Sequence, residues 1–185
     1  MVRSSSGARE KVLKAAESIA SEVGGHGLTL DAVAERAGVS KGGLLYHFPS
    51  KDALLEGLLD ACASEHFGQI HEQRRLQPDL PLAAAYLRAS MNDQPSTDPL
   101  FAGIASALFQ NKALLSSWEC LHRKFFDQLA VESDDFALDA ILSFAADGLW
   151  LSESYGMTAL QPAQRAQVVA RLAALASRPR RENAA

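Results

Sequence analysis

Cysteine is scarce in this 185-residue chain. Cys62 and Cys120 cannot build a disulfide framework, and two isolated thiols read as reduced residues in helices of a cytoplasmic protein. Long apolar runs are missing as well. The nearest, Phe136 to Leu151, is broken by Asp139 and Asp147, which argues against a membrane span. Met1 to Lys11 lacks the apolar stretch that a secretion signal needs. There is no glycine-rich phosphate loop after a strand, no HExxH, and no Cys/His cluster at metal-ligand spacing. The five histidines are scattered, and His66 and His71, five apart, fit one helical face poorly. Asp134 and Asp135 suit the start of a helix better than an acid/base couple. These absences argue against an enzyme and against any cofactor or metal ion. Excess charge is missing too. With 48% hydrophobic and 22% charged residues, the chain is globular and not disordered.

What charge there is lies unevenly. Residues 1–55 hold seven Lys/Arg against six Asp/Glu, and residues 56–185 hold eleven against sixteen. A weakly basic head on an acidic body is compatible with one DNA-binding module carried by a body that avoids DNA.

The apolar residues recur with helical period, and no alternating strand run stands out. Val12, Ala16, Ile19 and Val23 form a first face, which Gly24 and Gly25 are expected to stop. Thr29 offers an N-cap, with Asp31 in the first turn behind it. Gly38 ends that helix at a position suited to positive φ. Ser40 caps a short helix to about His47, Pro49 closes it, and Ser50 caps the next, which runs towards His71. Further helices are expected from Leu82 to Met91, from Pro99 to Gln110, over 112–130, from Phe136 to Tyr155 and from Pro162 to Ala176. The fold class is therefore all-α, with about nine helices. The division expected is a helix-turn-helix head over 1–50, a body over 51–176 and a disordered tail over 177–185.

The short helix contains Gly42 and Gly43, each costing ~1 kcal/mol against alanine. Close packing in the core could require them. So could a backbone lying against DNA, since the second helix of a helix-turn-helix enters the major groove by its first residues. Leu44 and Phe48 read as its buried face. Thr29, Ser40, Lys41, Gly42, Gly43, Leu45, Tyr46, His47 and Lys51 are the candidate DNA-binding residues. Thr29 caps and can also meet phosphate, Lys41, Tyr46, His47 and Lys51 can meet phosphate, and Leu45 can touch a thymine methyl. The plainer readings are solvated lysines, a packing tyrosine and a helix-closing histidine. Arg3 and Arg9 are either an arm towards DNA or a charged leader.

The stretch Thr29 to Leu55, TLDAVAERAGVSKGGLLYHFPSKDALL, resembles the DNA-binding signature of the TetR family of transcriptional regulators. The resemblance covers roughly Glu10 to Leu59. It implies a homodimer bound to a palindromic operator, usually a repressor released by a small molecule. Many members read KGTLYHYF where this chain has KGGLLYHF. Gly43 and Leu45 therefore cannot make the polar contacts of the usual threonine and first tyrosine. Lys41, Tyr46, His47 and Lys51 must carry more, or the operator preference differs.

In the body, the helix from Phe136 to Tyr155 is apolar on several sides, so one side can belong to a second subunit. Ile141, Ala145 and Leu149, with Val168, Leu172 and Leu175 on the last helix, are the candidate dimer interface; a purely internal core is the alternative. Met91, Phe101, Phe109, Trp118, His122, Phe126, Asp147 and Trp150 are the candidate effector pocket, with core filling as the plainer role. Asp147, if buried, needs a partner, either a cationic ligand or an arginine such as Arg88 or Arg123. The effector expected is apolar or aromatic with few polar groups. An activator, an effector-independent repressor and a helical interaction module without DNA binding remain the competing readings.

Overall fold

The computed structural model describes residues 5–91 and 116–178. Among the described residues there are eight helices and no strand. They are α1 (Ser5–Gly27), α2 (Leu30–Ala37), α3 (Lys41–His47), α4 (Lys51–Leu76), α5 (Leu82–Ser90), α6 (Ser116–Glu132), α7 (Phe136–Ser154) and α8 (Pro162–Ala176). The helix expected from Pro99 to Gln110 lies outside the described residues. The described residues divide into two units, 5–63 with 116–119 and 64–91 with 120–178. The expected boundary after residue 50 falls at the start of α4, whose Leu54, Leu55, Leu58 and Leu59 belong to the core of the first unit.

That core is built from Val12, Ala16 and Ile19 of α1, Leu28 of the turn that follows, Val33 and Ala34 of α2, and Leu44 and Phe48. Gly24 and Gly25 do not end α1, which continues to Gly27. Glycine weakens a helix but keeps its N–H donor, so two of them bend the odds without breaking the ladder. The break comes where Leu28 turns inward and Thr29 adopts extended backbone. Thr29 Oγ1 accepts from the Ala32 N–H at 3.2 Å, capping α2. Gly38, at φ 66°, ends α2, and the Val39 N–H returns to the Ala34 carbonyl at 3.0 Å. Ser40 and Ser50 cap α3 and α4 through the Gly43 and Ala53 N–H groups, each at 3.1 Å. One close approach had no local signal: a Cβ at Gly57 would lie 2.6 Å from Cε1 of Phe48.

In the second unit α5 is the centre. Leu82 through Leu87 are all buried, because three consecutive alanines let α7 and α8 pack closely around it. Phe67, Ile70, Phe125, Leu129, Leu142 and Ala146 complete this core. Asp135 caps α7 through the Leu138 N–H at 3.1 Å. Two ion pairs tie α8 down. Arg165 meets Glu153 at 2.5 Å and Arg178 meets Asp139 at 2.8 Å. Arg178 belongs to the segment expected to be a loose tail, yet it also donates to the Leu175 carbonyl at 2.9 Å.

Candidate functional site

The first unit presents the candidate reading surface. Leu44 and Phe48 are buried, which turns the rest of α3 outward. Tyr46 is 81% exposed, Leu45 sits at the edge of exposure, and His47 is half-buried with its ring edge against Tyr46, centroids 5.1 Å apart. Ser40, Lys41, Gly42 and Gly43 are exposed, as is Thr29, and Lys51 is half-buried. A Cβ at Gly42 would meet nothing within 4 Å, and one at Gly43 only Ser40 Oγ at 3.2 Å. Internal packing therefore does not explain Gly42, whereas Gly43 also keeps clear of the Ser40 hydroxyl that caps the helix. Thr29 and Ser40 accept a backbone N–H each and keep a hydroxyl proton to donate. The Lys41 ammonium lies 2.8 Å from Oδ1 of Asp31 and 3.1 Å from Oδ2, which brings the first turns of α2 and α3 together. Arg9 lies over the Phe48 ring, 5.4 Å from its centroid, and Arg3 is outside the described residues.

The second unit holds a polar group inside an aromatic shell. The Tyr86 hydroxyl donates to Oδ1 of Asp147 at 2.7 Å. Around Tyr86 stand His66 (5.2 Å between centroids), His122 (6.4 Å) and Phe125 (4.5 Å). Phe126 extends the cluster to His122 at 6.0 Å and to Phe144 at 5.2 Å. Of the expected pocket residues, His122, Phe126 and Asp147 thus come together, and Met91 packs on the same core. Trp150 is half-buried. Phe101, Phe109 and the Trp118 side chain lie outside the described residues.

The arginine partner anticipated for Asp147 is corrected. Arg88 donates to Gln77 at 2.9 Å, and Arg123 is exposed. Tyr86 takes that place, unannounced by spacing because it lies on another helix. Tyr86, His66 and Phe67 are therefore members that sequence reasoning missed. The lone tyrosine in the alanine-rich run LAAAYLR was the one available hint.

Burial sets the electrostatics. It pushes the Asp147 carboxyl up to about 6, against the pull of the Tyr86 hydrogen bond. It pulls His66 down to about 4, helped by His122, and lowers His122 itself. Burial first, then Asp147, drives the Tyr86 phenol far up. At neutral pH the cluster holds neutral imidazoles, a neutral phenol and a carboxylate. Around the carboxylate stand aromatic faces and one phenolic donor, an environment that suits a cation.

The third surface is on α7 and α8. The buried side of α7 carries Asp139, Ser143 and Glu153 beside Leu142 and Ala146. Its outward side carries Ile141 and Phe144, 62% and 60% exposed, with Ala145. Leu149 is half-buried. On α8, Val168 faces out, whereas Leu172 and Leu175 are half-buried against their own core. Among the described residues no group of three His, Cys, Asp or Glu could hold a metal ion, and no helix is long and apolar enough to cross a membrane.

Comparison with known proteins accords with this layout. Residues 12–58 match the family described as bacterial regulatory proteins, tetR family, and residues 81–177 match tetracyclin repressor-like, C-terminal domain. The HTH-type transcriptional regulator RutR of Escherichia coli strain K12 is 34% identical over 102 residues, which are 54% of this chain and 48% of RutR. The chain thus spans about half the length of that curated relative. The structure of the multidrug binding protein EbrR complexed with ethidium superposes with a TM-score of 0.67 at 21% identity, over 89% of this chain and 97% of that one. A transcriptional regulator from Rhodococcus sp. Rha1 gives 0.67 at 20% identity, over 90% and 94%. At such identities the likeness shows the fold.

Proposed function

Because this chain belongs to the TetR family of transcriptional regulators, we propose that it is a dimeric, sequence-specific repressor which leaves a palindromic operator when a small aromatic effector binds its body. The observation that carries the DNA half is the bare first turn of α3, where a Cβ at Gly42 would meet nothing within 4 Å among the described residues. In the proposed complex that backbone lies in the major groove, and Leu45 touches a thymine methyl. Thr29, Ser40, Lys41, Tyr46, His47 and Lys51 hold phosphates. A two-fold dimer through α7 and α8 sets the two reading helices about one DNA turn apart, roughly 34–36 Å.

The effector half rests on Asp147. A carboxylate held by a phenol within an aromatic shell favours an aromatic ligand that carries positive charge. The fold relative EbrR was crystallised with ethidium, an aromatic cation, which accords with that class. An effector that binds one conformer better than another draws the population towards it, and release follows if that conformer fits the operator worse.

The test is selection from random duplex DNA with the purified chain. A palindrome is the expected product. Tyr46→Ala and Lys51→Ala should then weaken binding to all sequences, and Lys51→Ala should lower the salt slope by about 1. Unchanged affinity in both variants would refute this map of the reading surface. No enrichment at low salt would shift the reading to an interaction module.

A further inference from the structure

We propose that Asp31 is a specificity-determining residue of the reading head, restraining Lys41 so that DNA offering only phosphates is held weakly. The inference rests on the DNA-binding reading above. Lys41 is the one Lys or Arg on α3, and the two residues after it have no side chains. Its ammonium is already occupied. It bridges both carboxylate oxygens of Asp31, at 2.8 and 3.1 Å. Asp31 is not needed as the cap of α2, because Thr29 performs that role.

The same pattern recurs over the first unit. Arg36 is taken by Glu22 at 2.7 and 3.0 Å and by Ser18 at 2.8 Å, Lys14 by Glu10 at 3.0 Å, and Arg9 lies on the Phe48 ring. Of the six described cations of the head these four are engaged, which leaves Lys11 and Lys51 outside any ion pair among the described residues. Non-specific DNA binding is almost wholly electrostatic. Arbitrary DNA must draw Lys41 from Asp31 or tolerate a carboxylate beside its phosphates, with nothing else gained. On the operator, the base contacts of α3 seat the helix so that Lys41 meets its phosphate with a remaining N–H while still paired to Asp31, and that cost is avoided. There the pair also holds the ammonium at the start of the reading helix, which reduces the cost of ordering a long side chain. The restraint thus falls more heavily on wrong sequences, the repulsive half of specificity.

The experiment measures affinity of the full chain for the selected palindrome and for random duplex of equal length, over a range of salt. Asp31→Asn should raise random-duplex affinity about three- to tenfold at 0.1 M salt and steepen its salt slope by about 0.9, the effect of one freed charge. Operator affinity should change less, so the ratio falls at least about threefold. Asp31→Glu should restore the ratio. In a Lys41→Ala background, Asp31→Asn should have a much smaller effect, which separates restraint of Lys41 from simple repulsion. An equal rise on both DNAs, an equal fall on both, or an effect that survives Lys41→Ala overturns the proposal while the DNA-binding reading stands. Failure of the unsubstituted chain to bind any duplex at low salt overturns both.

Discussion

Asp147 is a carboxyl whose neighbours work against its charge. Its folded value, about 6, stands above the ordinary 3.8, so its share of stability is present below 3.8 and is lost as pH rises through about 6. At pH 7 that share is a penalty on the order of 3 kcal/mol. His66 runs the other way. Lowered from 6.5 to about 4, it contributes stability that is present above 6.5 and lost as pH falls through about 4. Between pH 4 and 6 the two oppose each other. Asp147→Asn removes one of them. It should raise the melting temperature at pH 7 and make the loss of stability below pH 6 steeper than in the parent chain. Thermal melts across that range check this, and superimposable profiles would mean that Asp147 behaves as a carboxyl in water. At this scale, what is local was legible. The caps Thr29, Ser40, Ser50 and Asp135 bond to N–H groups three residues away, so spacing alone reveals them. The Tyr86–Asp147 bond joins residues 61 apart, and no local pattern encodes it.

Helices were legible because their punctuation is strong. Pro162 begins α8 and Asp135 begins α7 as the residue types demand. Gly24 and Gly25 misled because glycine lowers helix stability only by degrees, and tertiary contacts of α1 override it. The harder question is which side of a helix faces inward. The buried side of α7 is the more polar one, with Asp139 and Glu153 satisfied by arginines after its own end. Arg165 and Glu153 are 11% and 3% exposed, so their union is out of water. Arg165→Ala leaves a buried acid unmatched and should cost about 3–5 kcal/mol. Replacing both by apolar residues of similar size should recover most of that. Urea unfolding at pH 7 measures both, and a loss below about 1 kcal/mol for the single change would show that the pair contributes little.

For the molecule as a whole, the inverted polarity of α7 is the strongest sign of an assembly. A chain that satisfies acids inside while leaving Ile141 and Phe144 outside has surface to cover. The helical period already showed apolar residues on several sides, but it could not tell core from partner, since both are dry and apolar. Leu172 and Leu175, expected at the interface, are half-buried against their own core and have less to offer a second copy than Ile141. Ile141→Glu should convert a dimer to monomers in sedimentation while the helix content is kept. A dimer that survives would place the interface elsewhere.

The seat of Phe48 has a longer reach. The ring stands just past the end of α3, is touched by Arg9, and occupies space that any side chain at position 57 would claim. The pose of α3 is therefore set partly by an atom group that is missing from another helix. In the complex proposed above, a change at position 57 would reach the DNA contact through Phe48, without altering any residue proposed to meet a base.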